Sequence, residues 1–227
     1  MLETPHHVTQ RGNARREVFE TDSDRLVYLS LLRQQAELQK LGILGYCLMP
    51  NHVHLIVVPH REDALRTALR NAHGRYAAYL NARQASSGHV WQGRYYSCPM
   101  DEAHLWSALR YAERNPVRAG MVSDPLIYPW SSARVHAGGG GDGLIEIAEW
   151  AARWTSAEWC EFLQATCAER ENEAIRRSTH SGRPLGTEPF IEQLELALAR
   201  PLKPRKRGRP AKKPVDREFA EASLAVG

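Results

Sequence analysis

The 227-residue sequence contains only four cysteines, and no two of them form a Cys-x-x-Cys pair. Cys47, Cys98, Cys160 and Cys167 are scattered along the chain, so the sequence predicts neither a zinc knuckle nor a disulfide framework. It also lacks a recognisable signal peptide and any apolar run long enough to cross a membrane. We therefore expect a cytoplasmic protein in a reducing compartment, with no membrane partner.

The sequence also has little excess of positive over negative charge, since its formal net charge is only +4. The excess is concentrated near the end, where nine basic residues between Arg200 and Arg217 are opposed by Asp216 alone. Four prolines in the same stretch disfavour regular structure. The sequence thus predicts a basic, disordered tail over residues 201–227 that binds DNA.

Within this tail, Lys206, Arg207 and Arg209 belong to a Lys-Arg-Gly-Arg-Pro segment that resembles the core of an AT-hook. An extended arginine-containing segment can enter a narrow minor groove, where the negative potential is high. The alternative is a solvated tail that adds general affinity for DNA, and we favour this interpretation over specific groove reading.

Ahead of the tail, a glycine-rich segment divides the chain. Residues 137–143 include four consecutive glycines, and this composition is typical of a flexible linker. We therefore predict a first domain over residues 1–136, a helical region over 144–200, and the tail beyond it. At 227 residues the chain is long enough for one good core and an appendage.

The most informative feature is a pair of histidines, His52 and His54, in a short apolar run that ends at Pro59. The run is rich in β-branched residues and reads as a strand, on which residues two apart point to the same face. Two imidazoles on one face are well placed to share a metal ion. The alternative is a half-buried strand that carries two polar residues by chance.

A second segment, from Asp101 to Pro116, has the apolar spacing of a helix, with Asp101 as its N-cap candidate and Pro116 ending the pattern. Tyr111 and Asn115 are four residues apart and therefore project from one face of this helix. Taken alone, such a pair is more typical of core or interface packing than of catalysis.

The other elements are a first strand, a helix capped by Asp22 or Ser23 that extends to Gly42, a hairpin whose second strand carries the histidines, a helix at about 62–82 and a strand at about 94–100. This order is typical of an α+β fold with helices on one face of an antiparallel sheet.

Together these segments resemble the single-tyrosine HUH transposases (IS200-like), and more closely their REP-associated tyrosine transposase branch. The matching blocks occur in the same order at residues 7–13, 47–55, 91–95, 111–120 and 128–132, with a further family-like stretch at 182–213. The chain has a shorter lead before the first block than relatives usually carry. We expect the first strand to be retained nevertheless.

The resemblance implies a ferredoxin-like core in which the tyrosine helix lies across the sheet from the histidine strand. It also implies that His52, His54 and Asn115 hold a divalent metal ion and that Tyr111 is the nucleophile. Two imidazoles and an amide oxygen suit Mg²⁺ or Mn²⁺, although zinc remains possible on coordination chemistry. Attack by the phenol would give a 5′-phosphotyrosine and a free 3′-hydroxyl.

The expected partner is single-stranded DNA near hairpins formed by repetitive extragenic palindromes, which implies a cytoplasmic, nucleoid-associated enzyme. Arg94 and Tyr95 form an aromatic and basic cluster suited to unpaired bases and phosphates, although packing in a strand explains Tyr95 equally well. Arg11 and Arg118, in the matching blocks, are further DNA-binding candidates. The sequence leaves open whether the protein is a monomer or a homodimer.

Two other functions remain open. One is a non-catalytic DNA-binding protein that recognises repeat hairpins, and the other is a metallohydrolase that uses activated water, with Tyr111 in a structural role. The first strand also carries His6 and His7, to which the sequence assigns no role.

Overall fold

The computed structural model describes residues 1–165 and 169–203. The predictions for Lys206, Arg207, Arg209 and the rest of the tail beyond residue 203 lie outside the described residues, as does Cys167. The strands are β1 (His6–Arg11), β2 (Leu41–Met49), β3 (His52–Pro59) and β4 (Tyr96–Pro99). The helices are α1 (Asp22–Gln39), α2 (Ala64–Arg83), α3 (Glu102–Glu113), α4 (Asn115–Arg118), α5 (Ala133–His136), α6 (Ala148–Ala151), α7 (Ser156–Gln164), α8 (Glu169–Ser181) and α9 (Glu188–Leu198).

The four strands form one antiparallel sheet in the order β2-β3-β1-β4. With α1 after β1 and α2 after β3, this is the ferredoxin-like arrangement, so the predicted α+β fold class is confirmed. β2 and β3 are joined by the predicted turn at Pro50 and Asn51. Between β1 and β3, Thr9 pairs with His54 and Arg11 pairs with His52. The register therefore places the end of β1 beside both histidines.

The sheet is covered on both faces, whereas the sequence predicted helices on one face. Val53, Leu55 and Val57 of β3 pack with α1 and α2 in one apolar cluster. Ile56 and Val58 point the other way and pack with α3. Because side chains alternate along a strand, His52 and His54 share the face of Ile56 and thus lie on the α3 side.

A glycine lets α3 approach this face closely. At Gly45 of β2 an added Cβ would collide with Leu109 Cδ1 and would lie 2.9 Å from Ser132 Oγ. The pairing of β2 with β3 shifts register between Ile43 and Gly45, a β-bulge that locally bends the strand. A side chain at position 45 would force the Leu109 side chain of α3 and the Ser132 hydroxyl out of their present positions.

Helix boundaries follow capping chemistry. Asp101 caps α3 as predicted, since its side chain accepts from the backbone N–H of His104. For α1 the prediction was one or two residues late: Thr21 is the cap, in a reciprocal capping box with Asp24. α1 then ends earlier than predicted, at Lys40 in the left-handed region, so that Leu41 already belongs to β2.

Pro116 ends α3 but does not turn the chain away. α4 follows α3 after the single residue Arg114, whose backbone N–H still donates to Arg110 O at 2.9 Å. Pro116 lies in the first turn of α4, where its missing N–H costs nothing. Asn115 therefore remains one turn beyond Tyr111, in spite of the proline.

Helices beyond the glycine-rich segment pack on the same core as α3. Trp150, Trp159, Leu163 and Ile175 all belong to the apolar cluster of the α3 face. The segment 137–143 is anchored near its end, where Tyr46 Oη donates to Asp142 Oδ2 at 2.7 Å. None of the described helices is both long enough and apolar enough to span a membrane.

Candidate active site

A cavity of about 560 Å³ opens where β1, β3, α3, α4 and α8 meet. Four of its lining residues are the predicted metal ligands and nucleophile, namely His52, His54, Tyr111 and Asn115. Two predicted DNA-binding residues, Arg11 and Arg118, also line it. The remaining lining residues are His7, Thr9, Gln92, Tyr96, Glu169, Arg176, Thr179 and His180.

The two predicted histidines lie side by side on β3. The ring centroids of His52 and His54 are 4.9 Å apart, and the rings are nearly perpendicular. His52 Nδ1 lies 2.6 Å from Asn51 Oδ1. Within the described residues no protein group bonds to the Nε2 atom of either ring, so this nitrogen remains available in both.

A third histidine, His7 of β1, belongs to the same group although the sequence analysis gave it no role. Its Nε2 atom lies 2.9 Å from His54 Nδ1, and the two rings are stacked with centroids 5.1 Å apart. Its Nδ1 atom lies 2.8 Å from Thr179 Oγ1 of α8. His7 is only 1% exposed, so it acts behind His54 rather than on a substrate.

Tyr111 presents its ring to the histidines from the facing helix. Its centroid lies 5.8 Å from that of His54 and 5.9 Å from that of His7, with edge-to-face geometry in both cases. The Arg118 guanidinium lies 3.9 Å from the Tyr111 ring centroid. Tyr111 is 6% exposed and lines the cavity.

Asn115, one turn beyond Tyr111, contacts the same arginine. Its Oδ1 atom accepts a hydrogen bond of 2.8 Å from Arg118 Nη2, which leaves that oxygen one lone pair for another partner. Its Nδ2 atom is buried with no hydrogen-bond partner among the described groups. An unsatisfied buried amide is costly, and it is the kind of group that a bound substrate satisfies.

Burial keeps the imidazoles of His7, His52 and His54 uncharged. Burial first, and then the neighbouring Arg118 and His180, lowers the pKa of His7 to about 3. The pKa of His52 is lowered to about 4, first by burial and then by Arg11 and Arg118. Burial also holds the pKa of His54 well below its usual value. Neutral imidazole is the form that binds metals.

One side of the cavity is built from α8, a helix to which the sequence analysis gave no part in the site. Burial acts to lower the pKa of Arg176, but Tyr111 and Glu169, which both interact with it directly, raise it overall. Glu169 also forms an ion pair with Arg176 along the helix. Two guanidinium groups, those of Arg118 and Arg176, thus flank the Tyr111 side chain.

A second groove, of about 950 Å³, adjoins the first, and Tyr96 and His180 line both. The predicted DNA-binding residues Arg94 and Tyr95 lie in this second groove. Arg66, Arg70 and Arg200 join them there, together with Trp91. Arg66 and Arg70 lie one turn apart on α2, whereas Arg200 is distant in sequence, and no local pattern groups it with them.

The predicted metal ligands, His52, His54 and Asn115, are of the chemical types that bind a divalent ion. Among the described residues no group of three or more His, Cys, Asp or Glu side chains is placed to hold a metal. The predicted set has only two members of that kind, because its third ligand is the Asn115 amide oxygen. Two available imidazole nitrogens and one amide oxygen in one cavity fit Mn²⁺ or Mg²⁺ and leave positions open for phosphate oxygens.

The sequence of residues 3–115 matches the model of a known family, described as IS200-like transposases. The chain belongs to this family, whose members are DNA-cleaving enzymes. Its fold is similar to a solved structure described as a REP-associated tyrosine transposase bound to a REP hairpin. That structure is 16% identical, with a TM-score of 0.54, over 65% of this chain and 85% of its own.

A second solved structure, described as a transposase from Deinococcus radiodurans R1, is 17% identical over 50% of this chain and 92% of its own. Its TM-score of 0.38 is too low to support an argument. No curated protein matches the chain.

Proposed function

We propose that this transposase is a metal-dependent enzyme that cleaves and rejoins single-stranded DNA at REP-like hairpins through a 5′-phosphotyrosine. The observation that carries the proposal is the meeting of Tyr111 with His52 and His54 in one cavity. A strand motif and a helix motif 57 residues apart, as counted from His54 to Tyr111, converge there. Packing alone gives no reason for a tyrosine to share a cavity with two imidazoles whose Nε2 atoms are available.

The metal would be held by His52, His54 and Asn115. The family as a whole depends on metal ions, and we propose Mn²⁺ or Mg²⁺ here. When bound, the ion supplies a Lewis acid that polarises the scissile phosphate and neutralises charge in its transition state. Asn115 Oδ1 retains a free lone pair for this purpose while its other lone pair accepts from Arg118.

In the proposed reaction Tyr111 Oη attacks phosphorus as its proton leaves. A phosphorus–Oη bond forms, the bond from phosphorus to the 3′ oxygen breaks, and that oxygen takes up a proton to become a 3′-hydroxyl. Rejoining is the reverse, with a 3′-hydroxyl displacing Tyr111. The Arg118 guanidinium lies over the Tyr111 ring and Arg176 interacts with the Tyr111 side chain, so both would stabilise negative charge on the phenolate and on the phosphate.

The second groove would hold the unpaired strand. Arg66, Arg70, Arg94 and Arg200 supply positive charge along it, and Tyr95 and Tyr96 supply aromatic faces on which bases stack. Arg11 would guide a phosphate into the first cavity, since it lies on β1 beside His52. The tail residues Lys206, Arg207 and Arg209 are proposed to add general affinity for DNA.

The hairpin partner is proposed by analogy, since the similar solved structure is described as bound to a REP hairpin. One chain brings the histidines and Tyr111 together in one cavity, so the proposed site requires no second subunit. We propose that the enzyme acts in the cytoplasm on nucleoid DNA.

The test incubates the full chain with labelled single-stranded DNA that carries a hairpin from its own genomic neighbourhood. Reactions contain Mn²⁺, Mg²⁺ or EDTA, and Tyr111→Phe and Tyr128→Phe are run alongside. Tyr128 donates to Leu48 O and does not line the cavity, so its variant controls for the loss of a buried hydroxyl. We expect a metal-dependent covalent adduct with the wild type and Tyr128→Phe only.

Cleavage that persists in Tyr111→Phe without an adduct would contradict the tyrosine mechanism and favour activated water. Salt-sensitive binding without cleavage under any metal condition would favour a DNA-binding protein without catalysis.

A further inference from the structure

A chain of hydrogen bonds runs from helix α8 through His7 to His54. It starts at Thr179, whose hydroxyl donates to the backbone carbonyl of Ile175 at 2.8 Å. A hydroxyl has one proton, so towards His7 Nδ1, 2.8 Å away, the Thr179 oxygen can only accept. His7 therefore carries its proton on Nδ1.

The same argument determines which nitrogen of His54 carries the proton. A neutral imidazole has one N–H and one lone pair, so His7 Nε2 is an acceptor. Its partner His54 Nδ1, at 2.9 Å, must then be the donor. With the His54 proton on Nδ1, the lone pair of Nε2 is left for the cavity.

His52 reaches the same state by a separate route. Asn51 Nδ2 donates to Arg15 O at 3.2 Å, which orients the amide so that Oδ1 faces His52. His52 Nδ1 then donates to Asn51 Oδ1 at 2.6 Å, and its Nε2 lone pair is also free. Two independent hydrogen-bond systems thus prepare both imidazoles for the same ligand.

We infer that Thr179 and His7 are positioning residues that set the tautomer of His54, so that its Nε2 atom can bind the metal. The inference rests on the metal site of the proposed function and extends it to α8. Thr179 lies well outside the family match to residues 3–115, so an element beyond the matched region controls a ligand within it. Partners of metal-binding histidines commonly fix the tautomer and ring orientation in this way.

Replacement of Thr179 with valine would reverse the donor and acceptor roles in this series of hydrogen bonds. Valine has nearly the same shape but no hydroxyl, so a proton on His7 Nδ1 would be buried without a partner. The proton would move to His7 Nε2, which would then donate to His54 Nδ1. The His54 proton would in turn move to Nε2 and occupy the position that the metal needs.

The test uses ¹⁵N-labelled full chain without metal or DNA, and reads the histidine tautomers from long-range ¹H–¹⁵N correlations. We expect the Nδ1–H form of His54 in the wild type and in Thr179→Ser, which keeps the hydroxyl. Thr179→Val should show the Nε2–H form. In parallel, free Mn²⁺ measured by electron paramagnetic resonance should show about 10- to 100-fold weaker binding by Thr179→Val than by Thr179→Ser.

An Nε2–H form of His54 in the wild type would overturn the inference, and this measurement needs no variant to fold. Identical tautomers in the valine and serine variants would overturn it as well. The adduct assay with Tyr111→Phe tests a different step. Because the tautomer is read without metal or DNA, failure of the proposed reaction and failure of this inference are distinguishable.

Discussion

Glu113 is the residue whose replacement should reveal how the tyrosine helix is held. It lies two residues after Tyr111 and is fully buried. Three donors converge on its carboxylate: Ser132 Oγ at 2.5 Å, His136 Nδ1 at 2.6 Å and Trp159 Nε1 at 2.9 Å. Glu113 thus ties α3 to the segment beside β2, to α5 and to α7.

The expected cost of each change follows from these contacts. Glu113→Ala removes the acceptor from three buried donors and should lower the free energy of unfolding by about 3–5 kcal/mol. In Glu113→Gln one oxygen still accepts from Ser132 and His136, which share the same Oε1. The new amide N–H₂ then faces the Trp159 N–H, and because both groups are donors, no hydrogen bond can form between them. One unsatisfied buried donor should cost about 1–3 kcal/mol.

Trp159→Phe provides the matched partner for a double-mutant cycle. It removes the indole donor and keeps an aromatic ring, so the conflict created by Glu113→Gln no longer exists. The double variant should therefore be more stable than the sum of the single losses predicts, by about 1 kcal/mol or more. Urea titrations of the full chain, followed by circular dichroism, measure all four proteins.

If the free energy of unfolding of Glu113→Gln lies within about 0.5 kcal/mol of the wild-type value, the carboxylate does not accept three hydrogen bonds, and the reasoning fails. Coupling near zero in the cycle would also refute it, because the Trp159 bond would then be independent of Glu113. In the adduct assay, Glu113→Gln should react more slowly than the wild type, since α3 also positions Tyr111.

Two further predictions concern pH and salt. Lowering the pH from 7 to 5 should destabilise the fold. The unfolded chain takes up protons below its histidine pKa of 6.5, whereas folded His7 and His52, with pKa values of about 3 and about 4, do not. Each such histidine lowers the free energy of unfolding at pH 5 by up to about 2 kcal/mol. Urea midpoints that do not change between pH 5, 6 and 7 would contradict this. Hairpin binding should weaken steeply with salt, and Arg70→Gln and Arg94→Gln should each reduce the log–log slope by about 1, whereas Arg75→Gln, outside both cavities, should leave it unchanged.

The features that could be predicted from the sequence are those that depend on short-range spacing. His52 and His54 lie on one face because a strand has a period of two, and Tyr111 and Asn115 lie on one face because a helix brings every fourth residue together. Capping at Asp101 is local in the same sense. Such features can be predicted without any knowledge of how the elements pack. The structure brings His52, His54, Tyr111 and Asn115 into one cavity.

The helical region after residue 143 shows where this reasoning ends. The spacing of its tryptophans says nothing about which face of the sheet they cover. The partner of Trp159 is Glu113, and the partner of Thr179 is His7, 172 residues away in sequence. Contacts over such separations depend on the docking of a whole helix, which no short pattern encodes.

His7 is the most instructive omission, because its signal was present but incomplete. His7, Thr9 and Arg11 alternate along β1 and all line the cavity. Residues directly opposite in an antiparallel pair point to the same face, so the pairing of Thr9 with His54 places His7 on the histidine face. A register shift of one residue would have placed His7 among the side chains that pack under α1 and α2. The register between β1 and β3 thus decides whether His7 is a core residue or the partner of a metal ligand, and a helix and another strand separate the two in sequence.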